Sequence, residues 1–253
     1  MPDSPALLTV LTRDADSNRV WSRRLVKRGL SVYSLPCLAF AENPLTQDQL
    51  QALKQTPPNS WLIFTSAQGV KFFADRLPEL GLDRSALAGL KIAAVGRQTA
   101  DAITARGLIV TFTPSKPDAA TLARELTGVK GHNLILLTSS LSDPKLSDAL
   151  EKRGAQVSTI PLYATVSLTN PDPEYEKLMS QQEVGHVVFA SPSAARAYLE
   201  RLDPVLHAHA LAVEAIAIGQ TTSRELEALG FRNIKVAVAP NIEEVLKLLN
   251  YTT

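Results

Sequence analysis

Residues 61–77 read WLIFTSAQGVKFFADRL, and residues 186–202 repeat the same order of residue types as HVVFASPSAARAYLERL. Each segment begins with a short apolar run typical of a buried strand and continues, after a serine, with apolar residues at helical spacing. A strand that leads directly into a helix is the repeating unit of a parallel α/β sheet. These two segments therefore predict an α/β protein.

The rest of the chain alternates between short apolar runs and amphipathic stretches that end at or near glycine, as helices do. The runs predict strands at 7–11, 30–35, 61–64, 91–95 and 108–112 in the first half, and at 133–137, 156–160, 186–190, 214–218 and 233–238 in the second. Strands that alternate with helices of this size predict parallel sheets joined by right-handed crossovers.

The two halves also match residue by residue. A shift of 125 places Leu25 on Leu150, Gly29 on Gly154, Val32 on Val157, Pro36 on Pro161, Phe64 on Phe189, Ser66 on Ser191, Arg76 on Arg201 and Leu77 on Leu202. A shift of 123 places Gly96 on Gly219, Thr99 on Thr222 and Gly107 on Gly230. Repeated βα units explain paired glycines after helices, but not paired serines and threonines where helices begin. We therefore predict an internal duplication and two similar lobes.

Composition limits the classes of partner. The 253 residues are 45% hydrophobic and 20% charged, with 26 Lys and Arg against 25 Asp and Glu. A net charge of +1 provides no electrostatic field to attract nucleic acid or an anionic membrane, so neither is expected as a partner. Any polyanionic ligand must therefore be held by local hydrogen-bond donors. The N-terminus does not resemble a signal peptide, no apolar run is long enough to span a bilayer, and the single cysteine, Cys37, suits a reducing compartment. A cytoplasmic protein is expected, with Cys37 buried as a small hydrophobe.

The turns at the carboxyl ends of the strands are the candidate binding positions, because ligands of open parallel sheets bind there. Pro192 is favoured at a first helical position, so Ser191 is predicted to be the N-cap, and Ser66 is its counterpart. At the other pair of turns, Gly96 or Gly219 is predicted to lead into a helix.

Thr99 and Thr222 follow those glycines in the predicted first helical turn, where backbone amides lack internal partners. The four helix starts therefore suit carboxylates or phosphates. Capping alone is the simpler interpretation of any one hydroxyl, whereas the paired occurrence favours a ligand.

Other features give little support to metal or cofactor chemistry. His207 and His209 lack a nearby Cys, Asp or Glu to complete a metal shell, and neither dinucleotide-binding nor P-loop motifs occur. No metal and no cofactor are expected. Tyr163, in PLYATV, stands apart, because it follows a predicted strand and lies where the chain would leave one lobe for the other.

Six segments in order resemble the uroporphyrinogen-III synthase family over nearly the full chain. They are LTR (11–13), IFTSAQGV (63–70), AAVGRQTA (93–100), the helix end at 150–154 with PLYAT (161–165), VFASPSA (188–194) and AIGQTTS (217–223). The resemblance implies two flavodoxin-like lobes joined by a two-stranded linker, with the active site in the cleft between them. One lobe would comprise 1–37 with 168–253, the other 41–163, and the linkers would lie near 36–41 and 162–168.

The resemblance also implies an activity: the dehydration and cyclisation of hydroxymethylbilane, a linear tetrapyrrole with eight carboxylates, with inversion of ring D to give uroporphyrinogen III. Hydroxymethylbilane synthase would be the upstream enzyme, no cofactor would be needed, and a monomer is expected. By motif match, Tyr163 is the candidate general acid. The matched candidate substrate contacts are Thr65, Ser66, Gly96, Thr99, Ser191, Gly219, Thr222 and Arg13, although an arginine after the first strand can equally be a surface charge.

The sequence departs from the family pattern at two places. Many relatives carry an arginine in the loop after the strand at 133–138, where this chain has Ser142 and Asp143, and a basic residue is frequent where Gln68 stands. The alternative function is a non-catalytic two-lobed binding protein for a small polyanion. Paired receiver-like domains are a further alternative, but Asp14 and Asp16 alone form too small an acidic cluster for them.

Overall fold

The fold is described from a computed structural model for residues 7–82, 87 and 89–249. Contacts divide the chain into two units: unit 1 comprises Met1–Phe40 and Val166–Thr253, and unit 2 comprises Ala41–Thr165. The chain therefore crosses between units twice, at 40–41 and at 165–166. The two-stranded linker near 36–41 and 162–168 stays a prediction.

Unit 1 is built on a five-stranded sheet of order β10-β9-β8-β1-β2. Its strands are β1 (Leu8–Leu11), β2 (Val32–Ser34), β8 (Val184–Phe189), β9 (Glu214–Ala217) and β10 (Asn233–Val236), and all four neighbouring pairs are parallel. The α-helices are α1 (Ala15–Val26), α7 (Pro173–Ser180), α8 (Pro192–Arg201), α9 (His207–Ala210), α10 (Gln220–Ala228) and α11 (Ile242–Leu248), with a 3₁₀ turn at Pro204–Leu206.

Unit 2 is built on a sheet of order β3-β7-β6-β4-β5. Its strands are β3 (Leu38–Glu42), β4 (Trp61–Phe64), β5 (Lys91–Ala94), β6 (Asn133–Ser139) and β7 (Gln156–Ser167), of which β4 to β7 pair in parallel. The boundaries between the units at 40–41 and 165–166 fall within β3 and β7. The described helices are α2 (Gln47–Lys54), α3 (Ala67–Arg76), α4 (Arg97–Thr104), α5 (Ala119–Glu125) and α6 (Lys145–Glu151).

The strand registers confirm the internal duplication. In unit 1, Leu11 of β1 lies opposite Val188 of β8, and in unit 2 their counterparts Leu136 and Ile63 lie opposite each other. Two further pairs of opposite residues correspond in the same way. The pair Thr9–Val32 in unit 1 corresponds to Leu134–Val157 in unit 2, and the pair Phe189–Ala217 corresponds to Phe64–Ala94. Each sheet therefore takes strands from both halves of the sequence and reproduces one design, as predicted.

The predicted strand at 108–112 is wrong. Only Phe112 forms a bridge, with Ala93 of β5, where the duplication would place the counterpart of β10. The Thr111 side chain accepts a hydrogen bond from the Ile92 amide (3.1 Å), while the Ile92 carbonyl accepts from the Thr111 and Phe112 amides. A side-chain oxygen thus takes the place of a backbone acceptor, and the regular ladder does not form.

Both faces of the unit 1 sheet are buried, as expected for a parallel sheet covered by helices. Val187 and Phe189 belong to one hydrophobic cluster and Val188 to another, in keeping with the two-residue period of a strand. Cys37 is fully buried in the first cluster, and this burial raises the pKa of its thiol to about 12. Within the described residues, no helix is both long and apolar enough to cross a bilayer.

A buried pair of phenols offers a test of the unit 1 core. The Tyr175 and Tyr198 hydroxyls lie 2.7 Å apart, and neither residue is exposed. We expect Tyr175→Phe to lower the free energy of unfolding by about 1–3 kcal/mol, because the Tyr198 hydroxyl is left buried without its partner. Tyr175→Phe with Tyr198→Phe should recover much of that loss, as measured by urea unfolding. Strictly additive losses in the double variant would contradict a coupled pair.

Candidate active site

Unit 2 has a cavity of about 800 Å³ where β4 and β5 end and α3 and α4 begin. Four predicted contacts line it: Thr65, Ser66, Gly96 and Thr99. Residues 113–115 and Pro117 form another part of its wall. The structure therefore brings these four residues together as the turn positions predicted.

Unit 1 has a cavity of about 620 Å³ at the matching place, where β8 and β9 end. Ser191, Gly219 and Thr222 line it. Every residue that lines this cavity is the counterpart, by the shift of 125 or 123, of a residue that lines the unit 2 cavity. The duplication has thus produced the same cavity twice.

The serines cap their helices, as predicted. The Gly69 amide donates to Ser66 Oγ (2.9 Å), and the Ala194 amide donates to Ser191 Oγ (3.1 Å). Each serine oxygen therefore satisfies one first-turn amide of its own helix. Ser66 and Ser191 are therefore the N-caps of α3 and α8.

The glycine turns are different, because neither Gly96 nor Gly219 supplies a side-chain cap to α4 or α10. Thr99 and Thr222, in the first turns of these helices, are 5% and 4% exposed and line the cavities. Neither threonine hydroxyl has a hydrogen-bond partner among the residues that the structure describes. These two helix starts therefore offer amides and a hydroxyl that an anionic ligand can use.

Tyr163 lies inside β7 instead of following a strand, which corrects the sequence prediction. The strand continues past the predicted end at 160, and its register against β6 shifts between Thr138 and Ser139, so that Tyr163 lies opposite Ser139. Such irregularities re-aim side chains near sites. The phenol oxygen lies 2.9 Å from Ser66 Oγ, and the ring stacks on Phe72 at 5.3 Å and 9°.

Arg13 is not among the residues that line the cavity of its own unit. Its guanidinium lies 4.7 Å from the centre of the Trp21 ring, and its amide donates to Asn18 Oδ1. Burial lowers the pKa of Arg13, while the charge of Asp14 opposes that shift. The structure thus gives Arg13 a packing role and does not bring it to the cavity.

Thr65 belongs to two cavities. Its hydroxyl donates to the Leu137 carbonyl (3.2 Å), and the residue also lines a cavity of about 390 Å³ formed with the loop after β6. The end of β6 contributes Ser139 and the loop contributes Ser142 and Asp143, and Asp143 forms an ion pair with Lys145, the first residue of α6, at 2.7 Å. The acid of this loop is therefore paired with the basic residue that follows it.

Sequence reasoning missed three contributors. Phe72 supports Tyr163, although its helical spacing is that of an ordinary core residue. Arg97 lines the unit 2 cavity but was quoted only as part of a motif. Ser115 forms part of the wall, and its amide and hydroxyl both donate to Glu125, which lowers the pKa of that carboxyl. For the wall that contains Ser115, the one available signal in the sequence was the match of residues 113–117 to residues 236–240 by the shift of 123.

The chain forms two α/β units of one duplicated design, and each unit has an equivalent cavity at the ends of its parallel strands. These features define a class of two-unit α/β proteins suited to anionic ligands. The family model described as uroporphyrinogen-III synthase HemD matches residues 19–247. The chain belongs to the uroporphyrinogen-III synthase family.

Curated relatives cover nearly all of this chain at low identity. The porphyrin biosynthesis protein HemD of Ruminiclostridium josui is 24% identical over 95% of this chain, which spans 47%, about half, of that relative's length. The chloroplastic uroporphyrinogen-III synthase of Oryza sativa subsp. japonica is 28% identical over 92% of this chain and 76% of its own.

Solved structures support the fold. The uroporphyrinogen-III synthetase of Helicobacter pylori aligns with a TM-score of 0.65 at 19% identity, over 96% of this chain and 98% of its own. A mutant uroporphyrinogen III synthase of Thermus thermophilus aligns with a TM-score of 0.60 at 22% identity, over 97% of this chain and 98% of its own. The predicted α/β fold with two parallel-sheet lobes is confirmed.

Proposed function

We propose that this chain converts hydroxymethylbilane to uroporphyrinogen III, by dehydration and ring closure with inversion of ring D. The observation that carries the proposal is the pair of equivalent cavities, each with an uncapped helix start and a buried threonine. The names of the family model and of the curated relatives support the same activity.

The cavities suit a substrate with many carboxylates. At α4 and α10, backbone amides at the positive ends of the helix dipoles can donate to carboxylate oxygens. Hydrogen bonds to a charged acceptor are stronger than neutral ones. A near-neutral protein can therefore hold a polyanion through fixed donors, without a large positive surface.

Tyr163 is the proposed general acid, and Ser66 the residue that orients it. Ser66 Oγ accepts from the Gly69 amide, so its own proton is available for the phenol oxygen 2.9 Å away. In that arrangement the phenol donates its proton to the leaving hydroxyl of the substrate as its C–O bond breaks and water departs. The chain from amide to serine to phenol supports that direction of transfer.

Geometry control is the other part of the proposal. The free substrate closes unaided to the non-inverted isomer, so the protein must hold ring D for attack at its substituted carbon through the spiro intermediate of the family mechanism. We propose that the remaining predicted contacts, Thr65, Ser191 and Thr222 among them, position the substrate. A cytoplasmic location and supply by hydroxymethylbilane synthase belong to the same proposal, and the single cysteine supports the former.

The test is an isomer assay. Purified protein is incubated with freshly prepared hydroxymethylbilane, the products are oxidised, and the porphyrin isomers are separated, with heat-unfolded protein as control. We expect predominantly the type III isomer from the folded protein and the type I isomer from the control. Type I product in both samples would reject the activity, and unreacted substrate held by the protein would favour the polyanion-binding alternative.

A further inference from the structure

The two equivalent cavities differ at a charged position. Among the residues that line them, all of which the structure describes, Arg97 alone carries a charge. Its counterpart by the duplication is Gln220, which lines the unit 1 cavity. The walls differ in the same sense, since Thr113 and Ser115 in unit 2 correspond to Val236 and Val238 in unit 1. Unit 2 therefore has the cationic and more polar copy of the cavity.

Helix stability does not explain Arg97. It is the first residue of α4, where a positive side chain opposes the positive end of the helix dipole. Asp101 is 4.0 Å away, with both side chains largely exposed, so this ion pair contributes little. Gln220 begins α10 without a charge, which shows that the repeated design does not need an arginine there.

The surroundings of Arg97 point independently to an anionic ligand. Gly96 provides α4 with no side-chain cap, and Thr99, a residue that is 5% exposed, lies in the same first turn with a hydroxyl that no described residue bonds. Both residues line the cavity together with Arg97. A guanidinium beside free amides and an unpartnered hydroxyl is a suitable set of donors for a carboxylate.

We infer that Arg97 binds a substrate carboxylate in the unit 2 cavity, and that its replacement by Gln220 in unit 1 makes the two cavities unequal in their affinity for carboxylates. This inference rests on the proposed function.

The duplication supplies matched variants for the test. Arg97→Gln removes the charge, Gln220→Arg adds one at the equivalent position, and the double variant exchanges the two cavities. Arg19→Gln is the control, because Arg19 is another exposed helical arginine that pairs with a nearby acid, Asp16 at 3.2 Å. The measurements are KM, kcat and the ratio of type III to type I product, at low and high salt.

We expect Arg97→Gln to raise KM for hydroxymethylbilane by about tenfold at low salt, since a charged hydrogen bond is lost. The difference should shrink at high salt, and kcat should change little. The double variant should regain affinity, because it places the charge at the equivalent position of the other cavity. Arg19→Gln should behave as the unaltered protein.

An unchanged KM in Arg97→Gln would overturn the inference, as would a double variant that keeps the KM of Arg97→Gln. The failure of the proposed function is a separate result: the unaltered protein would then give no excess of type III product. A type III product from every variant, with equal KM values, would leave the proposed function standing and remove Arg97 from it.

Discussion

Replacing Tyr163 with phenylalanine should lower the turnover of hydroxymethylbilane by about a hundredfold or more, the range of a lost general acid. The phenol hydroxyl is the group that would protonate the leaving hydroxyl. The ring would still stack on Phe72, and Ser66 Oγ would still accept from the Gly69 amide, so the fold should persist. The measurement is kcat, with circular dichroism to confirm folding.

Two controls make this result specific. Tyr198→Phe removes another buried tyrosine hydroxyl, in unit 1, and should keep near-normal turnover. Ser66→Ala keeps the Tyr163 phenol but removes its partner and the α3 cap, so it should reduce turnover less than the loss of the phenol itself. Near-normal turnover in Tyr163→Phe would remove the phenol from the mechanism.

Gly219→Asp should lower kcat/KM for hydroxymethylbilane by about ten- to a hundredfold, because a carboxylate at this position repels the substrate and occupies the α10 amides. The substitution fits the backbone: φ is −179°, and an added Cβ meets nothing within 4 Å. An aspartate N-cap should slightly stabilise the helix. Activity and stability are therefore expected to move in opposite directions, which steady-state kinetics and thermal unfolding can show.

Neutral substitutions at Gly219 separate the causes. Gly219→Ala adds only a methyl group in open space and should keep most of the activity. Gly219→Asn has the size of aspartate without its charge and should fall between the two. Gly96 is the less suitable position, since an added Cβ there lies 3.1 Å from Pro117 Cβ. Full activity in Gly219→Asp would mean that the start of α10 does not hold substrate carboxylates.

The residues that repeat between the two halves of the sequence predicted the fold in detail, because aligning the two halves shows which positions are equivalent in the two units. The shift that places Ser66 on Ser191 also relates the strand registers of the two sheets. Together with the shift of 123, it also relates the two cavities, because every residue that lines the smaller cavity has a counterpart in the larger one. Local rules were sufficient for the helix caps, since a serine before a helical run satisfies an amide of its own helix.

Features that depend on contacts between distant residues were harder to predict. The run at 108–112 is apolar enough for a strand, but the Thr111 side chain competes for the Ile92 amide. Tyr163 was expected beyond a strand end at residue 160, but β7 continues to Ser167 and pairs with β6 as far as Tyr163. In each case a tertiary contact overrides the local pattern.

The central claim is that the equivalent helix starts in both cavities bind tetrapyrrole carboxylates. The most direct test is to add uroporphyrinogen III anaerobically to the ¹⁵N-labelled protein and to follow its backbone amide resonances. The account predicts the largest shifts at residues 97–99 and 220–222, in both units at the same ligand concentration. Saturating binding that leaves both sets unchanged, or that shifts only one of them, would contradict it.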